Sequence, residues 1–267
     1  MAGSELTNVK SPRVKAARRL TKRSFREQDR RFLAEGPQAV REALKLDGVV
    51  VELFATADAE LRHAEIVAEA RTQGIPVHLA SGEVMAELSQ TVTPQGLLAV
   101  CGLVHVPLEE GVPADARLVA VLAHVRDPGN AGTVLRAADA AGADSVLFTD
   151  ASVDPYNGKC VRASAGSLFH LPVVTGAPVA HAVRALKERG MRVLAADGAG
   201  QKTLDDVDLS GPTAWIFGNE AWGLPDDVLA LADDVVRVPI YGKAESLNLA
   251  TAAAVCLYAS ARSQRVP

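Results

Sequence analysis

The chain has 267 residues, of which 48% are hydrophobic, and this is enough apolar material for two packed cores. No apolar run approaches the roughly 18 residues of a membrane span, and the basic N-terminus lacks a secretory h-region, so we expect a soluble, cytoplasmic protein. The three cysteines and six histidines are scattered, which predicts no disulfide framework and no metal site.

Charge is distributed unevenly along the chain. Residues 1–31 contain ten Lys and Arg against three acidic residues, a net charge of +7, whereas the whole chain carries −4. Such a basic arm can bind phosphate groups by counterion release. A solvated, partly disordered terminus would have the same composition, so the charge alone leaves both interpretations open.

Residues 32–105 are predicted to form a small α/β domain. Pro37 suits the first position of a helix through Leu46, because its missing N–H costs nothing there. Strands are then predicted at 49–55, 75–80 and 97–104, and helices at 58–73 and 82–89. Residues 106–116 are rich in proline and acidic residues, which predicts a linker.

Residues 117–267 are predicted to form a second α/β domain. Apolar runs of strand length occur at 118–124, 145–149, 192–196, 213–217 and 235–240, between helical stretches at 131–141, 178–189 and 246–262. This alternation predicts a mostly parallel sheet, with ligand sites in the loops at the carboxyl ends of its strands.

Three polar clusters follow strands of this domain. In the first, Asn130 is a favoured N-cap, and Arg136 lies about 600° further around the helix, so Arg136 must act by reach. A capped helix with a solvent-facing arginine is the plain structural alternative. In the second, Asn219 and Glu220 come directly after an apolar strand. In the third, Ser246 is predicted to cap the final helix.

Together the clusters resemble the SpoU/TrmH family of SPOUT RNA 2′-O-methyltransferases. The pattern N-x-G-x-x-x-R-x-A is met by Asn130, Gly132, Arg136 and Ala138; G-N-E-x-x-G-L by Gly218, Asn219, Glu220, Gly223 and Leu224; and S-L-N by Ser246, Leu247 and Asn248. Ala221 departs from this pattern, since many members have glycine there, and bulky Trp222 follows it. The segments 32–36 and 93–97 match phrases of the ribosomal-protein-like substrate-binding domain found in many members.

The resemblance implies a SPOUT-type α/β domain with a trefoil knot and transfer of a methyl group from S-adenosylmethionine to a ribose 2′-hydroxyl. Ribosomal RNA is the expected substrate, with transfer RNA as the alternative, and we expect a homodimer with no metal and no membrane attachment. The implied catalytic residues are Arg136, Asn130, Glu220, Ser246 and Asn248. The implied cofactor-binding residues are Ala196, Asp197, Gly198, Gly218, Asn219, Val238, Pro239, Ile240, Ser246, Leu247 and Asn248.

Three questions stay open at this stage. An arginine with a pKa above about 12 is a poor base, so Arg136 can act as a base or as a positioning and electrostatic group. Residues 197–203 begin like the turn of a Rossmann-type nucleotide enzyme but lack its third glycine. A non-catalytic RNA-binding or ribosome-assembly factor is the third alternative, against which the intact Asn130, Arg136, Glu220 and Asn248 count.

Overall fold

The fold is described from a computed structural model, which covers residues 5–265. The first four residues of the predicted arm and the last two of the predicted catalytic domain lie outside the described residues. The elements up to residue 102 are α1 (Pro12–Arg19), α2 (Arg23–Asp29), β1 (Arg31–Glu35), α3 (Pro37–Ala43), β2 (Val50–Ala55), α4 (Ala57–Arg62), α5 (Ala64–Thr72), β3 (Val77–Leu79), α6 (Gly82–Leu88) and β4 (Leu97–Gly102).

Strands and helices alternate through the rest of the chain. They are α7 (Leu108–Gly111), β5 (Leu118–Leu122), α8 (Pro128–Ala141), β6 (Ser145–Thr149), α9 (Gly158–Ser164), β7 (Val173–Ala177), α10 (Val179–Glu188), β8 (Arg192–Ala196), β9 (Lys202–Thr203), β10 (Thr213–Phe217), α11 (Asp226–Leu229), β11 (Asp234–Arg237) and α12 (Leu249–Arg265). Two compact units result. The first contains the chain up to Val104 together with Tyr156–Phe169, and the second contains His105–Pro155 together with the chain from His170 onward.

The first unit is built on a four-stranded sheet in the order β1-β4-β2-β3. Strand β4 runs antiparallel to both β1 and β2, and β3 runs parallel to β2. Residues of α1, α6 and the sheet form one apolar cluster, which comprises Val14, Ala17, Leu20, Leu33, Phe54, Ala80, Val84, Met85, Leu88, Leu98 and Val100. This unit is therefore an α/β domain, as the strand and helix pattern predicted.

The basic N-terminal segment is folded onto this unit. Ser11 caps α1 by accepting a hydrogen bond from the Val14 amide at 3.4 Å. Val14, Ala17 and Leu20 are buried in the cluster just described. The structure thus differs from a solvated, partly disordered arm, because the apolar residues between the cations give α1 a side that packs.

Tyr156–Phe169 belongs to the first unit although the sequence pattern assigned it to the second domain. The rings of Tyr156 and Phe169 lie 4.7 Å and 6.1 Å from the ring of Phe32. Arg162 donates to the largely buried carboxylate of Glu35 at 2.9 Å. These partners are more than a hundred residues apart, so the periodicity of neither segment could reveal the association.

The second unit is built on a seven-stranded sheet in the order β7-β6-β5-β10-β8-β11-β9. Every neighbouring pair is parallel, which confirms the mostly parallel sheet. The expected linker 106–116 is instead part of this unit: it contains α7, and its residues Leu108, Val112 and Ala116 are buried in the core. The trefoil knot stays a prediction.

Helix α12 packs on α8 and on the central strands. The indole Nε1 of buried Trp215 in β10 donates to the hydroxyl of buried Ser260 in α12 at 2.8 Å, which fixes the helix on the sheet. No helix among residues 5–265 has the length and apolar character needed to cross a membrane. Within the same range, no group of three or more His, Cys, Asp or Glu side chains is arranged to hold a metal ion.

Candidate active site

Four adjacent parallel strands of the second unit place their following loops at one edge of the sheet. Phe217 at the end of β10 pairs with Leu122 of β5 on one side and Ala196 of β8 on the other. Val236 of β11 in turn pairs with Ala196. The three polar clusters therefore meet at the carboxyl ends of the strands, where α/β sheets bind their ligands.

The first cluster forms the start of α8. Asp127, not Asn130, is the N-cap: its Oδ1 accepts from the Asn130 amide at 2.8 Å, and Pro128 occupies the first helical turn. Asn130 lies inside that turn, so its side chain is available for contacts with other loops. The prediction of Asn130 as the cap was wrong because both residues are good caps, and Pro128 favours the residue before it.

Glu220 connects the first and second clusters. Its Oε2 accepts from the Arg126 amide at 3.3 Å, and its Oε1 accepts from the Asp127 amide and from Asn130 Nδ2, both at 3.2 Å. All three donors belong to one short segment after β5. The carboxylate thereby holds the start of α8 against the loop after β10.

Asn248 extends this network to the third cluster. Its Nδ2 donates to Asn130 Oδ1 at 3.0 Å, and its Oδ1 accepts from the Ala250 and Thr251 amides at the start of α12. Asn248 thus caps the final helix in place of Ser246, which lies two residues before it in an exposed loop. The three clusters are joined by a continuous chain of hydrogen bonds, Glu220 to Asn130 to Asn248.

The loop after β10 is a closed turn. The Asn219 amide donates to the Gly223 carbonyl and the Gly223 amide donates to the Asn219 carbonyl, each at 2.9 Å. Asn219 Nδ2 also donates to the His124 carbonyl at 3.0 Å. Gly218 packs so tightly beneath this turn that an added Cβ would lie 2.6 Å from the Gly223 carbonyl. Only glycine fits at Gly218, because backbone atoms fill the space.

A cavity of about 610 Å³ opens beside this network. It is lined by Ala196, Asp197, Gly198, Gly218, Asn219, Glu220, Trp222, Gly223, Val236, Arg237, Val238, Ile240, Gly242, Ala244, Glu245, Ser246, Leu247, Leu249 and Ala252. Nine of the eleven expected cofactor-binding residues are in this lining; Pro239 and Asn248 are not. The structure therefore brings most of that set together around one space.

Arg136 lies apart from the cavity. It is exposed on α8, and within residues 5–265 its side chain forms no hydrogen bond or ion pair. Among these residues, therefore, none of its guanidinium donors has a partner. This agrees with the helical spacing, which puts Arg136 off the stripe of Asn130.

The match to known families accounts for both units. Residues 117–258 match the model of the SpoU rRNA Methylase family, and residues 11–99 match that of the MRM3-like substrate binding domain. The chain belongs to the SpoU rRNA methylase family. The second match begins at residue 11, so the substrate-binding domain includes α1 and α2. The packing of Leu20, between these two helices, in the first unit's apolar cluster agrees with this.

Relatives and solved structures of this family cover from about three quarters to nearly all of the chain. The 23S rRNA (guanosine(2553)-2'-O)-methyltransferase RlmP of Bacillus subtilis is 36% identical over 254 residues, which are 95% of this chain and 98% of that protein. The 23S rRNA (guanosine-2'-O-)-methyltransferase RlmB of Bordetella pertussis is 32% identical over 74% of this chain and 82% of its own length. The AdoMet-bound rRNA methyltransferase from Sinorhizobium meliloti superposes with a TM-score of 0.86 at 32% identity, over 97% of each chain.

This SpoU methylase is thus an S-adenosylmethionine-dependent RNA 2′-O-methyltransferase, as its motifs predicted, and the Rossmann-type alternative is wrong. The cavity suits the cofactor. Its volume lies within the ~300–1,000 Å³ of small-molecule sites, and its lining combines apolar with polar residues. Gly223 has a φ of +69°, a left-handed backbone conformation that favours glycine, and an added Cβ would lie 2.7 Å from Asp197 Oδ2.

Sequence reasoning missed several residues of the site. Asp127 was overlooked as a cap although Pro128 indicated it, and Glu245 was not singled out although it precedes the S-L-N motif and lines the cavity. Trp222 was named only as the bulky residue after Ala221, yet it also lines the cavity. An exposed loop such as 241–248 has no periodicity from which its contacts could be predicted.

Proposed function

We propose that this SpoU methylase acts in the cytoplasm on ribosomal RNA, where it methylates the 2′-hydroxyl of one structured nucleotide. The names of RlmP and RlmB, both 23S rRNA methyltransferases, support ribosomal over transfer RNA. The observation that carries the proposal is the hydrogen-bonded chain from Glu220 through Asn130 to Asn248 at the edge of the glycine-lined cavity.

In this proposal the cavity binds S-adenosylmethionine, which supplies an electrophilic methyl group. Gly218 and Gly223 let the backbone approach the ligand, while Val238, Ile240 and Leu247 offer apolar contact. Ala196, Asp197, Gly198, Asn219 and Ser246 complete this set. Pro239 would act through the backbone of the loop 238–248, and Asn248 through its hydrogen bond to Asn130, rather than as direct contacts.

The chain's own contribution to the reaction is positioning and charge. A ribose hydroxyl must approach the methyl carbon in line, so holding the nucleotide in place supplies much of the rate enhancement. Arg136, with its unpaired guanidinium, is suited to bind a phosphate of the target nucleotide and to stabilise the oxygen as its proton leaves. A permanently protonated guanidinium favours this role over that of a base.

Glu220 is better suited to positioning than to accepting the hydroxyl proton. Its two oxygens already accept from three N–H donors of the segment after β5. The side-chain amides of Asn130 and Asn248 each donate one hydrogen bond and accept at least one other. Only one orientation of each amide therefore satisfies its neighbours. We therefore assign Glu220, Asn130 and Asn248 to holding the start of α8, and with it Arg136, in place.

The first unit is proposed to bind the RNA outside the reacting nucleotide. Several cations of its N-terminal segment are paired within the chain, such as Arg18 with Glu87 and Arg19 with Asp29. The exposed side chains of Lys10, Lys15 and Lys22 form no hydrogen bond or ion pair among residues 5–265. These lysines are available for phosphates, whose neutralisation releases counterions.

We also infer a homodimer. The outer side of α12 exposes Val255 and Tyr258, of which 39% and 52% of the surface is accessible. Thr251 lies one turn before Val255 and is exposed as well. These residues form a stripe at helical spacing on the helix that carries Asn248 at its start. Light scattering would detect the dimer, and Tyr258→Glu is expected to dissociate it.

The decisive experiment is methyl transfer to ribosomal RNA. RNA from a strain that lacks the gene is incubated with purified enzyme and labelled S-adenosylmethionine, and 2′-O-methylated positions are mapped. One new methylated ribose in rRNA is the expected result. Labelling of tRNA alone would show that the substrate is transfer RNA and not ribosomal RNA. Cofactor binding with no labelling of any RNA would favour a non-catalytic binding or assembly factor.

A further inference from the structure

Trp222 is unusual for its exposure. The ring is accessible over 61% of its surface, while the chain's other tryptophan, Trp215, is fully buried and bonded to Ser260. Burying an aromatic side chain of this size is strongly favourable, so an exposed tryptophan beside a cavity is a good stacking surface for a ligand. Trp222 is also one of the residues that line the cavity, which puts it at the cavity mouth.

The turn that carries Trp222 is rigid. Residues 220–222 form its tip, and the two backbone hydrogen bonds between Asn219 and Gly223 close it. Asn219 Oδ1 accepts from the Ala221 amide at 2.8 Å, and the Glu220 carboxylate is held by three donors. The backbone of such a turn has a defined place before any ligand arrives, so less entropy is lost when its side chain stacks.

Trp222 is two residues from Glu220 in sequence, next to the network that holds the start of α8. In the proposed function the ribose approaches the cavity beside this network, which would bring its base to the mouth. Enzymes that act on a nucleotide commonly take it out of its stack and give its base an aromatic partner. Indole is the largest such surface that the protein offers at the cavity.

We propose that Trp222 is a positioning residue on which the base of the target nucleotide stacks, so that the 2′-hydroxyl is presented to the cavity. The inference rests on the proposed function and adds the group that holds the base. Stacking on a flat ring tolerates any base, so Trp222 fixes the nucleotide's position rather than its identity. Ala221, small and exposed beside it, leaves space for the nucleotide.

Three substitutions separate stacking from simple apolar contact. Trp222→Phe keeps an aromatic face, Trp222→Leu keeps apolar bulk without one, and Trp222→Ala removes both. Loss of one base stack is expected to weaken RNA binding roughly 5- to 150-fold in the Leu and Ala variants. The Phe variant is expected within about threefold of the wild type. Equal behaviour of Phe and Leu would overturn the proposal.

Fluorescence supplies a readout that does not depend on turnover. Trp215 gives a constant background because it is buried, and the Trp222→Phe spectrum measures that background directly. Ribosomal RNA is expected to quench the Trp222 emission, whereas S-adenosylmethionine alone leaves it unchanged. Quenching by the cofactor alone would assign the ring to the adenine, and dissociation of a dimer in Trp222→Ala would assign it to a second copy. Either result overturns the inference.

The two proposals fail in different ways. If the wild type methylates no RNA, the proposed function fails, and quenching by ribosomal RNA still tests whether a base covers Trp222. If the wild type methylates ribosomal RNA but Trp222→Leu keeps its KM for RNA, only the stacking role fails.

Discussion

Asn130 and Asn248 are 118 residues apart in sequence, yet the Nδ2 of Asn248 donates to the Oδ1 of Asn130 at 3.0 Å. One residue lies in the first turn of α8 and the other caps α12. Since Asn130 also donates to Glu220, each of the three sequence motifs contributes one side chain to the same network. The order of the motifs along the chain therefore reflects a single arrangement in space.

The polarity of this network predicts a charge-swap experiment. Asn130→Asp keeps the shape but replaces the donor that faces Glu220 with a second carboxylate oxygen, so repulsion replaces attraction. We expect kcat to fall about tenfold or more with little change in cofactor affinity. Glu220→Gln in the Asn130→Asp background returns a donor to the pair and is expected to restore part of the rate. A swap that restores nothing would contradict the assigned orientation.

Arg136 is expected to affect catalysis without affecting the cavity. Arg136→Ala should lower kcat by about 10²- to 10⁴-fold, the range of a group that stabilises charge in the transition state. Arg136→Lys keeps the charge but not the planar guanidinium, so its kcat should lie between those of Arg136→Ala and the wild type. Cofactor affinity, measured by calorimetry, should stay unchanged because Arg136 does not line the cavity.

Arg184→Ala is the matched control for this series. Arg184 is an exposed arginine on α10 of the same unit, and its side chain forms no ion pair or hydrogen bond within residues 5–265. Its removal should leave kcat unchanged. A similar loss in both alanine variants would attribute the effect to general RNA attraction.

The elements that could be predicted from sequence are those with strong local patterns. The apolar runs at 145–149, 192–196 and 213–217 coincide with β6, β8 and β10, because strands buried on both faces need no alternation. Helices α1, α2 and α9 were missed. Their short apolar faces are hidden among cations or small residues, and they are stabilised by partners distant in sequence such as Phe54 and Phe32.

The sequence predicted which residues belong to the site better than it predicted the contacts that they make. Gly218, Asn219 and Glu220 were expected together because they follow one apolar strand. The two cap assignments failed, since Asp127 and Asn248 compete with Asn130 and Ser246 and residue type alone does not choose between them. The contact between Asn130 and Asn248 depends on the packing of α12 against α8. This is a tertiary contact, which no local sequence pattern reveals.

The N-terminal segment is expected to contribute to stability as well as to RNA binding. Leu20→Ala removes a side chain of the first unit's core that is only 3% exposed, so the free energy of unfolding should fall by about 2–5 kcal/mol. Leu61→Ala, at a leucine that is 81% exposed, should change it by less than about 0.5 kcal/mol. Urea denaturation of both variants measures the difference. Equal stability would mean that Leu20, which directly follows α1, is not part of the core.

The unpaired lysines predict the salt dependence of RNA binding. Lys15→Ala with Lys22→Ala should weaken binding and lower the slope of log Kd against log salt by about one for each phosphate that is no longer neutralised. Arg62→Gln removes a cation of the same unit that is already paired with Asp58 and should change the slope little. Cofactor affinity should be unchanged in both. An unaltered slope in the lysine variant would remove the segment from the RNA-binding surface.

The ion pairs of Asp234 predict how the stability of the second unit depends on pH. Hydrogen bonds from Lys202 and Arg192, which outweigh the opposing effect of burial, hold the pKa of its carboxyl below the usual value near 3.8. A lowered folded pKa means that the stabilisation is present above about pH 4 and is lost as the pH falls through the folded value. The stability gap between the wild type and Asp234→Asn should therefore narrow from pH 7 to pH 3 in denaturation experiments. A constant gap would contradict the ion pair.

The place of Tyr156–Phe169 in the first unit has a consequence for how such proteins can be recombined. The first unit is assembled from two separate stretches of chain, so no single cut in the gene releases it whole. An exchange of the N-terminal hundred residues between two relatives would leave Glu35 facing a foreign partner in place of Arg162, and Phe32 facing foreign rings. A change of RNA specificity by exchange of this unit is therefore expected to need matched replacement of both stretches of chain. Because the second stretch lies within the sequence of the methyltransferase domain, the two domains are expected to evolve together.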